Sequence, residues 1–302
     1  MDENYTLDED FYQQYYGKRQ RRLKLFDKLS SGKPIVNVIL FFATFVTTFI
    51  TGWVSHGYWQ AGLWYSVAII SILLSHEMGH YLMCKKHGIQ ATLPFFIPSP
   101  FLGLNPFGTF GAVIKMESRI PDRKALFDVA VAGPLAGLAV TIPCIFFGIQ
   151  LSQVVDVSAV KANGAVSLGE SFLFSQLSQL AIGTLRENQD VMLHPLAFAG
   201  WAGLFVTALN LLPIGQLDGG HIVYALLGRR HNYVATVALI VFGLICVFIY
   251  PGWLLLLLLL IWFGHRHPPT MNDAPLDETR IAIGIFTLII FFLSFTPEPF
   301  KI

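Results

Sequence analysis

The stretch AGLWYSVAIISILLSHEMGHYLMCKK, residues 61–86, decides how this chain is read. It opens with no charged residue from Ala61 to Leu74, then carries His76, Glu77 and His80, and closes on Lys85 and Lys86. A helix from about Ala61 to Met83 would rise ~35 Å at ~1.5 Å per residue, enough to cross a hydrocarbon core of ~30 Å. Ionisable groups at such depth cost ~2.5–3.5 kcal/mol each on insertion scales. A segment that keeps three of them is expected to use them.

On a helix, side chains four apart share a face with Cβ atoms ~6 Å apart, so His76 and His80 can reach one metal ion. Glu77 points about 100° around the axis. This is the H-E-x-x-H arrangement of zinc proteases, in which the glutamate is the general base. Zinc held by two imidazoles and a carboxylate keeps a fourth position for water, whose pKa falls to ~7. Glu77 is then placed to take the proton.

Hydrophobic residues make up 54% of the 302 residues and charged ones 13%, with 26 Phe and a mean hydropathy of +0.58. These values exclude an ordinary soluble domain and predict a polytopic membrane protein. The net charge of +1 hides an asymmetry: Asp2, Glu3, Asp8, Glu9 and Asp10 precede Lys18, Arg19, Arg21, Arg22, Lys24, Lys28 and Lys33. A basic block abutting a spanning helix reads as a cytoplasmic juxtamembrane segment in contact with the lipid bilayer, and no nucleic-acid partner is expected. The acidic opening also argues against a signal peptide. Cys84, Cys144 and Cys246 have no framework spacing, so no disulfide scaffold is implied; Cys84 reads as a small buried thiol.

Apolar segments fall at about 35–54, 61–83, 126–150, 196–217, 233–250, 252–264 and 281–296. Positive charge at 18–33, Lys85/Lys86, Arg119 to Lys124, Arg229/Arg230 and Arg266 is consistent with seven spans, the N-terminus inside and the motif toward the cytoplasmic half. The expected architecture is an all-α polytopic protein of about six to seven transmembrane helices. It divides into an N-terminal segment, 1–34, and a membrane domain, 35–302, with an extracytoplasmic loop at 151–194. That loop carries one apolar patch (Phe172, Leu173, Phe174, Leu177, Leu180), which predicts a short amphipathic helix on the outer surface.

Residues 87–118 are rich in Pro, Gly and Phe and hold no helix-length run, while Phe107 to Met116 reads as a strand. Irregular apolar backbone is tolerated at membrane depth only where protein or a water-filled cavity satisfies its hydrogen bonds. A small membrane-embedded β-hairpin beside the site is therefore expected. Gly133 and Gly137 form a small-xxx-small pair that lets another helix approach closely, and packing accounts for them.

A third metal ligand is sought in the run from Asn210 to His221, NLLPIGQLDGGH. Asp218 is the best candidate; Glu117 and His221 are the competitors. Pro213 removes a helix donor and Gly215, Gly219 and Gly220 permit conformations that other residues resist, so the segment is expected to unwind near the site. His56, His87, His194, His231, His265 and His267 read as surface imidazoles in loops or at span ends.

With these two motifs in hand, the chain resembles the site-2 proteases, polytopic membrane zinc enzymes that cut transmembrane or membrane-proximal segments of other proteins. The resemblance runs from about residue 61 to 223 and rests on His76-Glu77-Met78-Gly79-His80, then Asn210-Leu211-Leu212-Pro213 continuing to Leu217-Asp218-Gly219-Gly220, in matching order and context. The glycines of Gly108-Thr109-Phe110-Gly111 and the Gly133-Pro134 span also look like that family's central region. The resemblance implies a three-helix catalytic core, one zinc per chain on His76, His80 and Asp218, Glu77 as base, and Asn210 in contact with substrate. It is of a compact kind: the loops leave no room for the PDZ or CBS domains many relatives carry.

The activity then expected is peptide hydrolysis within the membrane, with transmembrane proteins as substrates and a bacterial plasma membrane, or an organelle membrane, as its place. A substrate helix hides its carbonyls in hydrogen bonds and must first be extended. Residues Gly108, Thr109, Phe110, Gly111, Ala112 and Val113 would do this by pairing with it as an added strand. The rival expectation is a metal or proton transporter using the same intramembrane ligands. It leaves Glu77 beside His76 unexplained.

Overall fold

A computed structural model describes residues 34–100, 105–116, 120–157, 167–186, 188–264 and 267–301. The acidic and basic N-terminal run up to Lys33, Glu117 and His265 lie outside the described residues. The chain is mostly helical: α1 Pro34–His56, α2 Trp59–Lys86, α3 Arg123–Gln150, α4 Phe172–Ile182, α5 Pro195–Asn210, α6 Asp218–Leu227, α7 His231–Phe248, α8 Leu254–Phe263 and α9 Glu278–Ser294. Each of the seven apolar stretches is helical over all or part of its length. Among the described residues, four stretches are long and apolar enough to cross a membrane: α1, α2, α3, and the run Asp218–Phe248 that α6 and α7 make together.

Small residues decide which helices touch. A Cβ on Gly52 would meet that of Tyr65 at 2.7 Å, and one on Gly62 would meet the Phe49 carbonyl oxygen at 2.6 Å, so α1 and α2 cross at two glycines. On α5, Gly200 faces Ile145 of α3, and Gly203 faces both Ile72 of α2 and Thr141 of α3. Thus α2, α3 and α5 pack on one another. Their buried surface, with Tyr65, Ile69, Leu126, Phe127, Ile145 and Leu204, is the centre of the apolar core.

The strands are short. β1 (Phe95–Pro98) pairs antiparallel with β2 (Thr109–Val113), matching Phe95 with Val113 and Phe96 with Ala112. β2 lies within the stretch 107–116 that the sequence reads as a strand. β3 (Gln153–Asp156) pairs with β5 (Gln189–Met192), and β4 (Ser167–Leu168) with β6 (Phe300–Lys301). In the 151–194 loop, α4 buries Phe174 and packs Leu173 and Leu177 on the core, whereas Phe172 and Leu180 stay exposed.

Stacked rings close that end of the bundle. Trp201 lies parallel to Phe198 and Phe205, with interplanar angles of 9°, and donates Nε1–H to the Gly169 carbonyl at 2.8 Å. Trp253 does the same to Pro297 at 2.8 Å. The opposite end collects the basic residues. Arg123, opening α3, donates to the Ala225 carbonyl near the end of α6, and Arg280, opening α9, reaches Asp128 of α3, as does His87 at the end of α2.

Candidate active site

The candidate ligands come from a helix and from a break between two helices. α2 stays helical through the motif, so His76 and His80 lie one turn apart with their rings edge-on and centroids 4.8 Å apart. Their Nε2 atoms lie 3.0 Å from each other. Asp218 Oδ2 closes the triangle at 3.2 Å from His76 Nε2 and 3.4 Å from His80 Nε2. All three side chains are largely buried, and they are the one group of three metal-ligating side chains among the described residues.

The backbone fixes how His80 presents itself. Its Nδ1 lies 2.8 Å from the Val129 carbonyl oxygen, which can only accept, so Nδ1 carries a proton and Nε2 is the nitrogen left to face Asp218. The imidazoles fit because α3 offers no side chains there. A Cβ on Gly133 would fall on the His80 ring, and one on Gly137 would lie 3.2 Å from the His76 Cβ. The packing role expected of these two glycines holds, and what they pack against is the pair of histidines.

Asp218 reaches the site because the chain unwinds. α5 ends at Asn210 and α6 begins at Asp218, so the apolar stretch 196–217 is helical only in its first part. Gly215 turns the backbone with φ +60°. The expectation for Gly219 and Gly220 needs correction, since neither takes a positive φ; both lie in α6, pressed against the Leu211 and Gly215 carbonyl oxygens, where a side chain has no room. Asn210 Nδ2 ends 3.3 Å from His76 Nε2. His221 turns away, its Nδ1 lying 2.6 Å from His267 Nε2.

Glu77 is 7% exposed and the backbone N–H just beyond β2, at Ile114, comes within hydrogen-bonding reach of its carboxyl. The hairpin thus runs beside Glu77. Its anchors are Tyr65, whose hydroxyl donates to the Phe107 carbonyl at 3.0 Å, and Asn37, whose amide donates to the carbonyls of Leu93 and Pro94. Gly108, at φ +69°, presses against Thr47, Thr48 and Thr51 of α1, so its close approach is to this chain's own helix; Gly111, at φ +95°, has open space around it. Thr109 is buried, with its hydroxyl on the Ile97 carbonyl, while Phe110 is 60% and Val113 47% exposed.

Two histidines contradict the reading of surface imidazoles. His231 is wholly buried and His267 nearly so. His267 stacks on Tyr224 with centroids 4.2 Å apart. Burial, reinforced by the nearby His221 and His231, holds the His267 pKa well below its usual value. Cys84 is a buried free thiol, as expected.

Two imidazole nitrogens and a carboxylate oxygen converging beside a buried glutamate are the donor set of a zinc site in metallopeptidases of the H-E-x-x-H kind, here carried on membrane-length helices. Residues 64–250 match peptidase family M50, and the chain belongs to that family; the resemblance to site-2 proteases is thereby established. The "Probable zinc metalloprotease EGY1, chloroplastic" of Arabidopsis thaliana is 33% identical over 245 residues, 79% of this chain and 43% of that protein. The "Probable zinc metalloprotease EGY2, chloroplastic" of the same plant is 33% identical over 236 residues, 76% of this chain and 40% of that protein. The chain therefore spans less than half the length of these curated relatives. No solved structure matches it. Family and helices together make it an integral membrane protein whose cofactor is zinc.

Proposed function

We propose that this protein hydrolyses peptide bonds within or next to the transmembrane segments of other membrane proteins. The observation that carries the reading is the triangle of His76, His80 and Asp218 with Glu77 at its side and the hairpin tied to that glutamate through Ile114. His76 Nε2, His80 Nε2 and an Asp218 oxygen would hold the zinc, which when bound polarises a carbonyl and makes water a nucleophile at neutral pH. Glu77 accepts the proton of the nucleophile and returns it to the leaving amine. Asn210, 3.3 Å from His76, is placed to hold the substrate backbone with its amide.

The hairpin supplies the substrate platform. Among the described residues, β2 pairs only with β1, leaving its second edge for an added strand. We assign substrate contact to Thr109, Phe110, Gly111, Ala112 and Val113, with Gly108 as the bend that fixes them on α1. Main-chain pairing captures an unwound segment with little demand on its sequence, which supports membrane helices of low helical stability as the substrate class.

The clustering of Lys85, Lys86, Arg123 and Arg280 at one end of the bundle supports that end as cytoplasmic and the site as lying toward it. We further read six to seven crossings, with α5 and α9 among the shorter ones, and a hairpin inside the membrane. A bacterial plasma membrane suits this orientation; the chloroplastic names of the relatives support an organelle membrane as the alternative. Reconstituted in vesicles, the protein should cleave a reporter helix in a zinc-dependent manner and move no ions. Zinc or proton uptake without cleavage would assign the same ligands to transport.

A further inference from the structure

We propose that Asp128, Arg280 and His87 form a positioning clamp that holds α3 in register under the metal ligand His80. The inference rests on the zinc reading above and extends it to residues that never touch the metal. His87 follows His80 by two helical turns and so lies on the same face of α2. That face meets α3 through two polar bridges. His80 Nδ1 donates to the Val129 carbonyl at 2.8 Å, and His87 Nε2 lies 2.9 Å from Asp128 Oδ2. Asp128 and Val129 are neighbours in sequence, so whatever fixes the side chain of one fixes the carbonyl of the other. The space between the bridges is filled by the small apolar cluster of Cys84, Ala125 and Val129.

The third helix completes the clamp. Arg280 of α9 grips Asp128 with both prongs, Nε to Oδ1 at 2.7 Å and Nη2 to Oδ2 at 2.7 Å. The guanidinium is held in turn by Asp277 at 2.5 Å, and Asp277 also caps α9 by accepting the Arg280 backbone N–H at 3.1 Å. Ion pairs as accessible as this one, with side chains 14% and 29% exposed, add little to stability. A bidentate guanidinium and carboxylate nevertheless admit one mutual orientation. The arrangement therefore serves geometry: three helix ends are locked where a slip of α3 along α2 would carry the Val129 carbonyl away from His80. A free Nδ1 would release both the ring orientation and the tautomer that turns the Nε2 lone pair inward.

The test uses the full chain in detergent, loaded with zinc or Co²⁺. Substitutions that disturb the partner of a ligating histidine cost ~10–100-fold in metal affinity. Acting one step further out, Arg280→Gln and Asp128→Asn should release zinc to a chelator about tenfold faster and shift the visible Co²⁺ spectrum. Arg280→Lys, which keeps the charge and loses the fork, should fall between. Trp253→Phe, which at the other end of the bundle loses the bond to Pro297 and part of the ring packing on Phe205 and Phe295, should lower the unfolding temperature and leave zinc release and spectrum unchanged. If Arg280→Gln and Asp128→Asn release zinc at the wild-type rate with an unaltered spectrum, the clamp is overturned. Should neither fold, His87→Ala is the deciding variant: a several-fold faster release supports the clamp and an unchanged one overturns it. Wild-type protein that holds no zinc overturns the zinc reading and the clamp together, whereas wild-type zinc with insensitive variants overturns the clamp alone.

Discussion

The seam between α2 and α3 and the β1–β2 hairpin meet at Glu77, yet they are built on opposite rules. In the seam, glycines admit ring against backbone, the His80 Nδ1 has a fixed acceptor and the end is tied by an ion-pair clamp. In the hairpin, the tip is held by Tyr65, Asn37 and the threonines of α1, while Phe110 and Val113 are exposed and, among the described residues, the far edge of β2 has no strand on it. On the proposed function, the difference teaches where each half of the reaction would be served. Metal and proton transfer need atoms placed to within a fraction of an ångström. Capture of a foreign segment needs backbone groups left open.

The largest effect is expected where the metal triangle loses a ligand. Asp218→Ala or His80→Ala should strip zinc from the purified protein and abolish cleavage, as measured by metal analysis and a reporter helix. Full zinc content in the Asp218 variant would move the third ligand to His221 or Glu117.

Next come two glycines that look alike in sequence. Gly133→Ala puts a methyl into the His80 ring; such overpacking costs ~1–3 kcal/mol, and zinc release should rise at least about tenfold as the ring is displaced. Gly111→Ala meets no atom, and its φ of +95° is the sole source of strain; such backbone strain costs ~1–2 kcal/mol, so cleavage should fall while zinc is kept. Equal zinc retention in the two variants would erase the contrast between seam and hairpin.

The smallest effect concerns the open edge. Val113→Pro removes a backbone donor and should slow cleavage of a stable transmembrane helix with zinc intact, with Val113→Ala milder. A substrate already weakened by Gly and Pro at its cleavage site should suffer less from the proline, because less unwinding is asked of the hairpin. Wild-type rates for both variants on both substrates would leave the strand-addition idea without support.

How much of this was legible in the sequence follows from where the information sits. His76, Glu77, His80 and Asp218 declare themselves because their chemistry is in the side chain and their depth in an apolar run is improbable by default. The strand at 109–113 was readable because its alternation is local. The early end of α5 at Asn210 was readable as an unwinding signal around Pro213 and Gly215, though the helical fate of Gly219 and Gly220 was not, since what they avoid is a carbonyl on another segment. His231 and His267 were misread as surface groups because their burial depends on Tyr224 and a loop returning over α6. Val129 acts through a carbonyl that every residue possesses. Asp128 and Arg280 stand 152 positions apart, and nothing local pairs them.

The most direct test of the central claim is Glu77→Gln in the purified, reconstituted protein, followed by zinc content and cleavage of a reporter transmembrane helix side by side. The amide nearly preserves shape and leaves all three ligands in place but cannot shuttle the proton. Zinc should stay at one per chain while the rate falls by at least ~10²–10⁴, the range for loss of a general acid–base group. Cleavage at the wild-type rate would contradict the assignment of Glu77 and with it the proposed mechanism.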